Sequence, residues 1–223
     1  MTFIFSARGK RYTRSLCFIA IILGIALAGI AIPHHTADAA DTRIFIDPGH
    51  GGSDVGASAN GLLEKDLTLD IALRTRDILN KQYGSHTLKL SRTGDVTKSL
   101  SARTNEANNW GANFFISIHI NSGKGTGFES YTWDGYYPEK ERTNAIRNTI
   151  HDEVVKATGF TDRGKKESNF HVVRETKAPA ILTENGFIDR EKDANKLKND
   201  DFLDQIAQGH ADGIARALGL PKK

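Results

Sequence analysis

The stretch from Arg43 to Asp66, RIFIDPGHGGSDVGASANGLLEKD, decides how the rest of the chain is read. A short apolar run ends in Asp-Pro-Gly-His, a Gly-rich loop follows, and Glu64 opens a helical pattern. This is a strand, a loop and a helix start, with His50 and Glu64 at either end of the loop. In α/β proteins ligands collect where the carboxyl ends of strands meet such loops. One His and one Glu do not make a metal site, so the reading depends on what the later strand ends supply.

Outward from this stretch, Leu67, Ile71, Ile78 and Leu79 recur at helical spacing between Lys65 and Tyr83. Thr87 to Ser91 reads as a second strand, and Ser99 to Trp110 as a helix stopped by Gly111. Phe114 to Ile118 is almost wholly apolar, as a strand covered on both faces must be, and it runs into His119. Further strands are expected at Phe128 to Trp133, Phe170 to Val173 and Ala180 to Thr183, with helices at Pro138 to Thr158 and Asp201 to Leu218. This alternation predicts an α/β fold: a single domain around a mostly parallel twisted sheet of about six strands, with helices on both faces.

The first 39 residues are expected to lie outside that domain. Arg8, Lys10, Arg11 and Arg14 form a basic head, Leu16 to Ile32 is unbroken apolar sequence, and Ala37-Asp38-Ala39 offers a small-residue cleavage site. The pattern is that of a secretory signal peptide, with an uncleaved anchor as the alternative, and the catalytic domain is expected over 40–223. Removing the segment takes four of the 30 Lys and Arg and one of the 27 Asp and Glu, which leaves a formal net charge of zero. Such a domain has no basic footprint for nucleic acid. The one cysteine, Cys17, falls in the removed segment, so no disulfide is expected, and export without disulfides suits a bacterial exoprotein stabilised by its core.

Three strand ends and one helix start assemble the chemistry: His50, His119, Glu184 and Glu64. Two imidazoles and a carboxylate are a recurring ligand set for catalytic zinc, which leaves the second carboxylate as general base. Zinc polarises a carbonyl and lowers the pKa of its water toward about 7, so the constellation suits hydrolysis of an amide. Each residue also has a plainer reading. A lone strand-end histidine is usually hydrogen-bonded structure, and an isolated Glu in a first turn favours the helix dipole. Glu184, at the end of an Ile-Leu-Thr run, is harder to set aside, because an ionised carboxylate beside buried apolar positions needs a partner. His86, His151, His171 and His210 read as structural or solvated.

The pieces IDPGHGG (Ile46–Gly52), GLLEKD (Gly61–Asp66), SRTGD (Ser91–Asp95), SIHINS (Ser117–Ser122) and PAILTENGF (Pro179–Phe187) together resemble the zinc-dependent N-acetylmuramoyl-L-alanine amidases, the cell-wall hydrolase family called amidase type 3. The resemblance runs from about Arg43 to Leu218 in the family's order. It implies one zinc ion per chain held by His50, Glu64 and His119, with Glu184 as the catalytic carboxylate. The spacing alone does not tell ligand Glu from base Glu. It also implies a substrate, the amide joining N-acetylmuramic acid to L-alanine in peptidoglycan. Arg92, Arg103 and Asn121 are the candidates for binding that substrate, although turn hydrogen bonding or ion pairing explains them equally well. The expected enzyme is an exported monomer, cell-wall associated or periplasmic, with peptidoglycan as its partner and an activating or localising protein as a second one. The competing readings are a non-catalytic peptidoglycan-binding domain and a zinc peptidase cutting within the stem peptide.

Overall fold

The computed structural model describes residues 41–223, together with Thr2; the signal or anchor expected over 1–39 lies outside them. Strand β1 (Thr42–Pro48) is followed by a two-residue hairpin, β2 (Ser58–Ala59) and β3 (Leu62–Leu63), and by helix α1 (Glu64–Gln82). Next come β4 (His86–Leu90), α2 (Leu100–Trp110), β5 (Phe114–Asn121), β6 (Phe128–Thr132) and α3 (Lys140–Thr158). The chain closes with β7 (Asp162–Glu167), α4 (His171–Glu175), β8 (Ala180–Phe187), α5 (Glu191–Leu197) and α6 (Asp200–Leu218). Helix α2 has the boundaries its sequence announces. The Ser99 side chain accepts from the Ala102 amide at its start, and Gly111 turns left-handed at its end.

Six strands form one sheet in the order β4-β1-β5-β8-β6-β7. The first four are mutually parallel, β6 runs antiparallel to β8, and β7 runs parallel to β6. Ile44, Ile46, Ile116, Ile118 and Ile181 face a core completed by Ile71 of α1, Ile150 of α3 and Ile214 of α6. Phe45, Phe115 and Leu182 face the other side, under Ala107 of α2 and Val172 and Val173 of α4. The chain steps from β1 to β4 through α1 on one face, then returns across β1 to β5 through α2 on the other. With right-handed crossovers, that reversal opens a crevice between the carboxyl ends of β1 and β5.

Two expectations need correction. Phe170 to Val173 is not a strand: Val172 and Val173 are both buried although adjacent, which suits one turn of helix over a sheet and not an alternating strand. The sixth strand is instead β7, DRGKKE, which has no apolar residue and sits at the sheet edge. An edge strand loaded with charge is protected against further pairing, and for the same reason it has no hydrophobic period to read. The short helix α5 was also not expected from the sequence.

Candidate metal centre and active site

At the carboxyl end of β1, Asp47 is fully buried and anchors the crevice. Its Oδ1 accepts from Ser91 Oγ at 2.5 Å and Arg103 Nη1 at 2.7 Å, and its Oδ2 accepts from Ser117 Oγ at 2.8 Å. Arg103 also donates to the carbonyls of Pro48 and His50, at 2.7 and 2.6 Å. Arg92 donates to Pro48 at 3.2 Å, to Gly49 and Lys65 at 2.8 Å each, and to Gly94 at 3.2 Å. Both guanidinium groups are buried and turned onto backbone carbonyls, so they fix the loop that carries His50, and Arg103 also lines the cavity beside that ring. Asn121 is likewise engaged, donating to Glu129 Oε2 at 3.0 Å and accepting from the Ser122 amide at 2.7 Å.

The backbone at His50 is left-handed, with φ of 60°, a conformation that is rare for a side chain with a Cβ. Its Nδ1 lies 2.9 Å from Asp54 Oδ2 and its Nε2 3.2 Å from Glu64 Oε1. His119 Nδ1 lies 2.9 Å from the same Glu64 oxygen. Glu64 is held by Ala57 N on Oε2 at 2.8 Å and by Ile120 N on Oε1 at 3.1 Å. Its carboxylate is thus drawn inward and is only 5% exposed, which a residue serving the helix dipole alone would not be. The potential ligand atoms of His50, Glu64 and His119 all lie within 4.8 Å of one another.

Electrostatics favour a cation between them. Burial pushes the Glu64 carboxyl up, but hydrogen bonds from His119 and His50 outweigh this and hold it well below the usual carboxylate range. Burial lowers the His50 imidazole, yet Glu64 and Asp54 overcome it and raise its pKa above 6.5. Two nitrogen ligands and one carboxylate, with an outer carboxylate fixing one imidazole, match the donor set of catalytic zinc sites. The cradle also lacks side chains where they would intrude. A Cβ on Gly49 would lie 2.3 Å from His119 Cε1, and one on Gly56 would lie 2.6 Å from Glu64 Oε2.

His119 and Glu184 are register partners on the parallel strands β5 and β8, so their side chains share one face. Glu184 Oε2 is enclosed and has no hydrogen-bond partner. Burial first, then the negative charges of Glu64 and Glu129, push the Glu184 carboxyl well above its ordinary value. A buried carboxyl with a raised pKa beside potential metal ligands is a candidate for proton transfer. A cavity of about 290 Å³ adjoins the histidines, lined by Asp54, Thr97, Ser99, Leu100 and Arg103 among others. A larger hollow, about 560 Å³, lies around Thr42, Asn113 and Leu218 at the opposite end of the sheet and gathers no such groups.

The other histidines among the described residues have internal partners or none. His151 joins Ser130 Oγ at 2.7 Å and Asp162 Oδ1 at 2.8 Å, and His210 joins Thr183 Oγ1 at 3.1 Å and the Ile206 carbonyl at 2.9 Å. Burial lowers the His210 pKa to about 4, so it stays neutral. His86 Nδ1 lies 3.1 Å from the Gly84 carbonyl, and His171 Nε2 is enclosed without a partner. Sequence reading passed over Asp54 and Glu129. Asp54 had one signal, its place four residues after His50 in the same loop.

Residues 44–216 match the family model described as N-acetylmuramoyl-L-alanine amidase. The chain is 59% identical over 181 residues to the sporulation-specific N-acetylmuramoyl-L-alanine amidase of Bacillus subtilis (strain 168), covering 81% of this chain and 69% of that one. It is 56% identical over 180 residues to the N-acetylmuramoyl-L-alanine amidase CwlM of Bacillus licheniformis, covering 81% and 70%. Among solved structures, the N-acetylmuramoyl-L-alanine amidase from Clostridium difficile 630 superposes with a TM-score of 0.77 at 35% identity, covering 81% of this chain and 98% of that one. With the family model spanning most of the described domain, and two relatives above half identity agreeing with it, this chain belongs to the N-acetylmuramoyl-L-alanine amidases.

Proposed function

We propose that this amidase works with a single zinc ion held by His50, Glu64 and His119, that Glu184 is its catalytic carboxylate, and that it acts on peptidoglycan outside the cytoplasmic membrane. A zinc ion bound there supplies Lewis acidity toward the amide carbonyl and a water made more acidic. Asp54 accepts the Nδ1 proton of His50, which fixes the tautomer and turns Nε2 toward Glu64. Arg92 and Arg103 hold the backbone of Pro48 to His50 in place and so position that ring. Glu184 takes the proton from the attacking water and delivers it to the amide nitrogen, which departs as the amine of L-alanine. Its enclosed, unpartnered Oε2 beside His119 is the observation that carries this assignment.

The test is digestion of purified peptidoglycan by the zinc-loaded enzyme, followed by mass spectrometry of the products and metal analysis of the protein. Free N-terminal L-alanine with intact muramic acid, and zinc near one per chain, are expected. Cuts inside the stem peptide, or fragments bound and left whole, would replace this reading with that of a peptidase or a binding domain. The basic head, apolar run and Ala37-Asp38-Ala39 support export. N-terminal sequencing of the protein recovered outside the cell should begin near Ala40, and a start retaining Leu16 to Ile32 would make the segment an anchor.

A further inference from the structure

One strand beyond Glu184, on the side away from the histidines, stands a charge cluster that the hydrolysis does not use. Glu129 on β6 is the register partner of Glu184 on the same face and is 2% exposed. Its Oε2 accepts from Tyr131 Oη at 2.6 Å and Asn121 Nδ2 at 3.0 Å. Its Oε1 accepts from Arg163 Nε at 2.6 Å and Lys166 Nζ at 2.7 Å, both from edge strand β7. Two cations thus share one carboxylate, which leaves a surplus positive charge. The neighbouring charges on β7 do not cancel it, because Lys165 pairs with Asp152, Asp162 with His151 and Glu167 with Lys140. The Arg163 guanidinium lies over the Phe187 ring at 4.9 Å and Lys166 Nζ 5.7 Å from the Tyr131 ring, but neither terminal nitrogen of Arg163 has a hydrogen-bond partner among the described residues, and the two side chains remain 36% and 37% exposed. If the pair existed only to neutralise Glu129, one cation would suffice.

We propose that Arg163 and Lys166 form an anion subsite for a carboxylate on the peptide residue that follows L-alanine. This rests on the amidase reading and on Glu184 as its proton donor. The leaving amine is the first atom of the peptide, and it departs beside Glu184. In this assignment the peptide leaves Glu184 on the side away from His50 and His119, over β6 toward β7, where the two cations stand. Opposed residues on neighbouring strands lie about 5 Å apart, so the cationic heads sit on the order of 10 Å from Glu184. Each peptide residue advances about 3.5 Å, which brings a branch carboxylate of the second residue, and not of alanine, into reach. A planar guanidinium with free terminal N–H groups suits that carboxylate bidentately.

Steady-state hydrolysis of soluble muropeptides tests this, using a substrate whose second residue bears a free carboxylate and one in which that carboxylate is a carboxamide. The zinc-loaded enzyme should prefer the carboxylate by roughly tenfold in kcat/KM, expressed mainly in KM, as a charged hydrogen-bonded contact implies. In Arg163→Gln and Lys166→Gln the preference should shrink toward one, and Arg163→Lys should restore part of it. Circular dichroism and bound zinc are measured alongside, since each variant keeps one cation on Glu129 and should fold and load metal as the parent does. A preference of the same size in parent and Gln variants, or none in the parent, overturns the subsite. No amide cleavage of either substrate by the zinc-loaded parent would instead overturn the amidase reading, and the subsite with it.

Discussion

Replacing Glu184 by Gln should make the protein more stable and nearly inactive at once. The Glu184 carboxyl has an enclosed, unpartnered oxygen and is raised well above its ordinary pKa by burial, then by Glu64 and Glu129. In the unfolded chain the same group ionises near about 4.3. Below that pH it is neutral in both states and costs nothing extra. As the pH rises, the unfolded chain ionises freely while the folded one resists, so Glu184 lowers stability progressively until its folded pKa is passed. Gln keeps the shape and removes the charge. For the metal-free protein at neutral pH we expect a gain of about 1 to 2 kcal/mol, the scale of stabilising single substitutions, from removing that ionisation, or roughly 2 to 4 °C in melting temperature per kcal/mol. The gain should shrink toward zero near about pH 4. Turnover of the zinc-loaded variant should fall by about 10²- to 10⁴-fold, equivalent to roughly 3 to 5 kcal/mol of transition-state stabilisation. Melting curves of chelator-treated protein across pH, with turnover and metal analysis, read all of this. A variant that is less stable at pH 7, one whose stability difference ignores pH, or one that loses zinc or keeps full activity would refute the reasoning.

Glu64→Ala should fail differently: zinc is left with two imidazoles, metal content and activity drop together, and excess zinc restores part of the rate, as metal titration would record. Gly49→Ala places a Cβ 2.3 Å from His119 Cε1, so that ring must move; metal affinity measured against a competing chelator should fall even where the fold survives. Asp47→Ala leaves the Arg103 guanidinium buried, its exposed side-chain area only 3%, without its carboxylate. That should cost about 3 to 5 kcal/mol in urea unfolding, and a loss below about 1 kcal/mol would show that the backbone carbonyls alone satisfy Arg103.

The sequence by itself determined the strand and helix periods of the core, the loop after β1, and the order in which His50, Glu64, His119 and Glu184 arrive. It could do so because these features are local: apolar runs buried on both faces, Ser99 and Gly111 as helix punctuation, and polar residues placed at strand ends. It misread α4, since Val172 and Val173 carry β-branched signals while their burial under the sheet is a tertiary matter. It missed β7, whose pairing with β6 needs no apolar side chain. For Arg92 and Arg103 the sequence left substrate binding and internal hydrogen bonding equally open, because it does not say which way a guanidinium turns; in the fold they donate to backbone carbonyls at Pro48, Gly49 and His50. The pairing of Glu184 with His119 on one side and Glu129 on the other was decided by sheet register alone, which brings together carboxylates 55 residues apart in the chain. Register is set by how two faces bury against their helices, and no local stretch of residues encodes it.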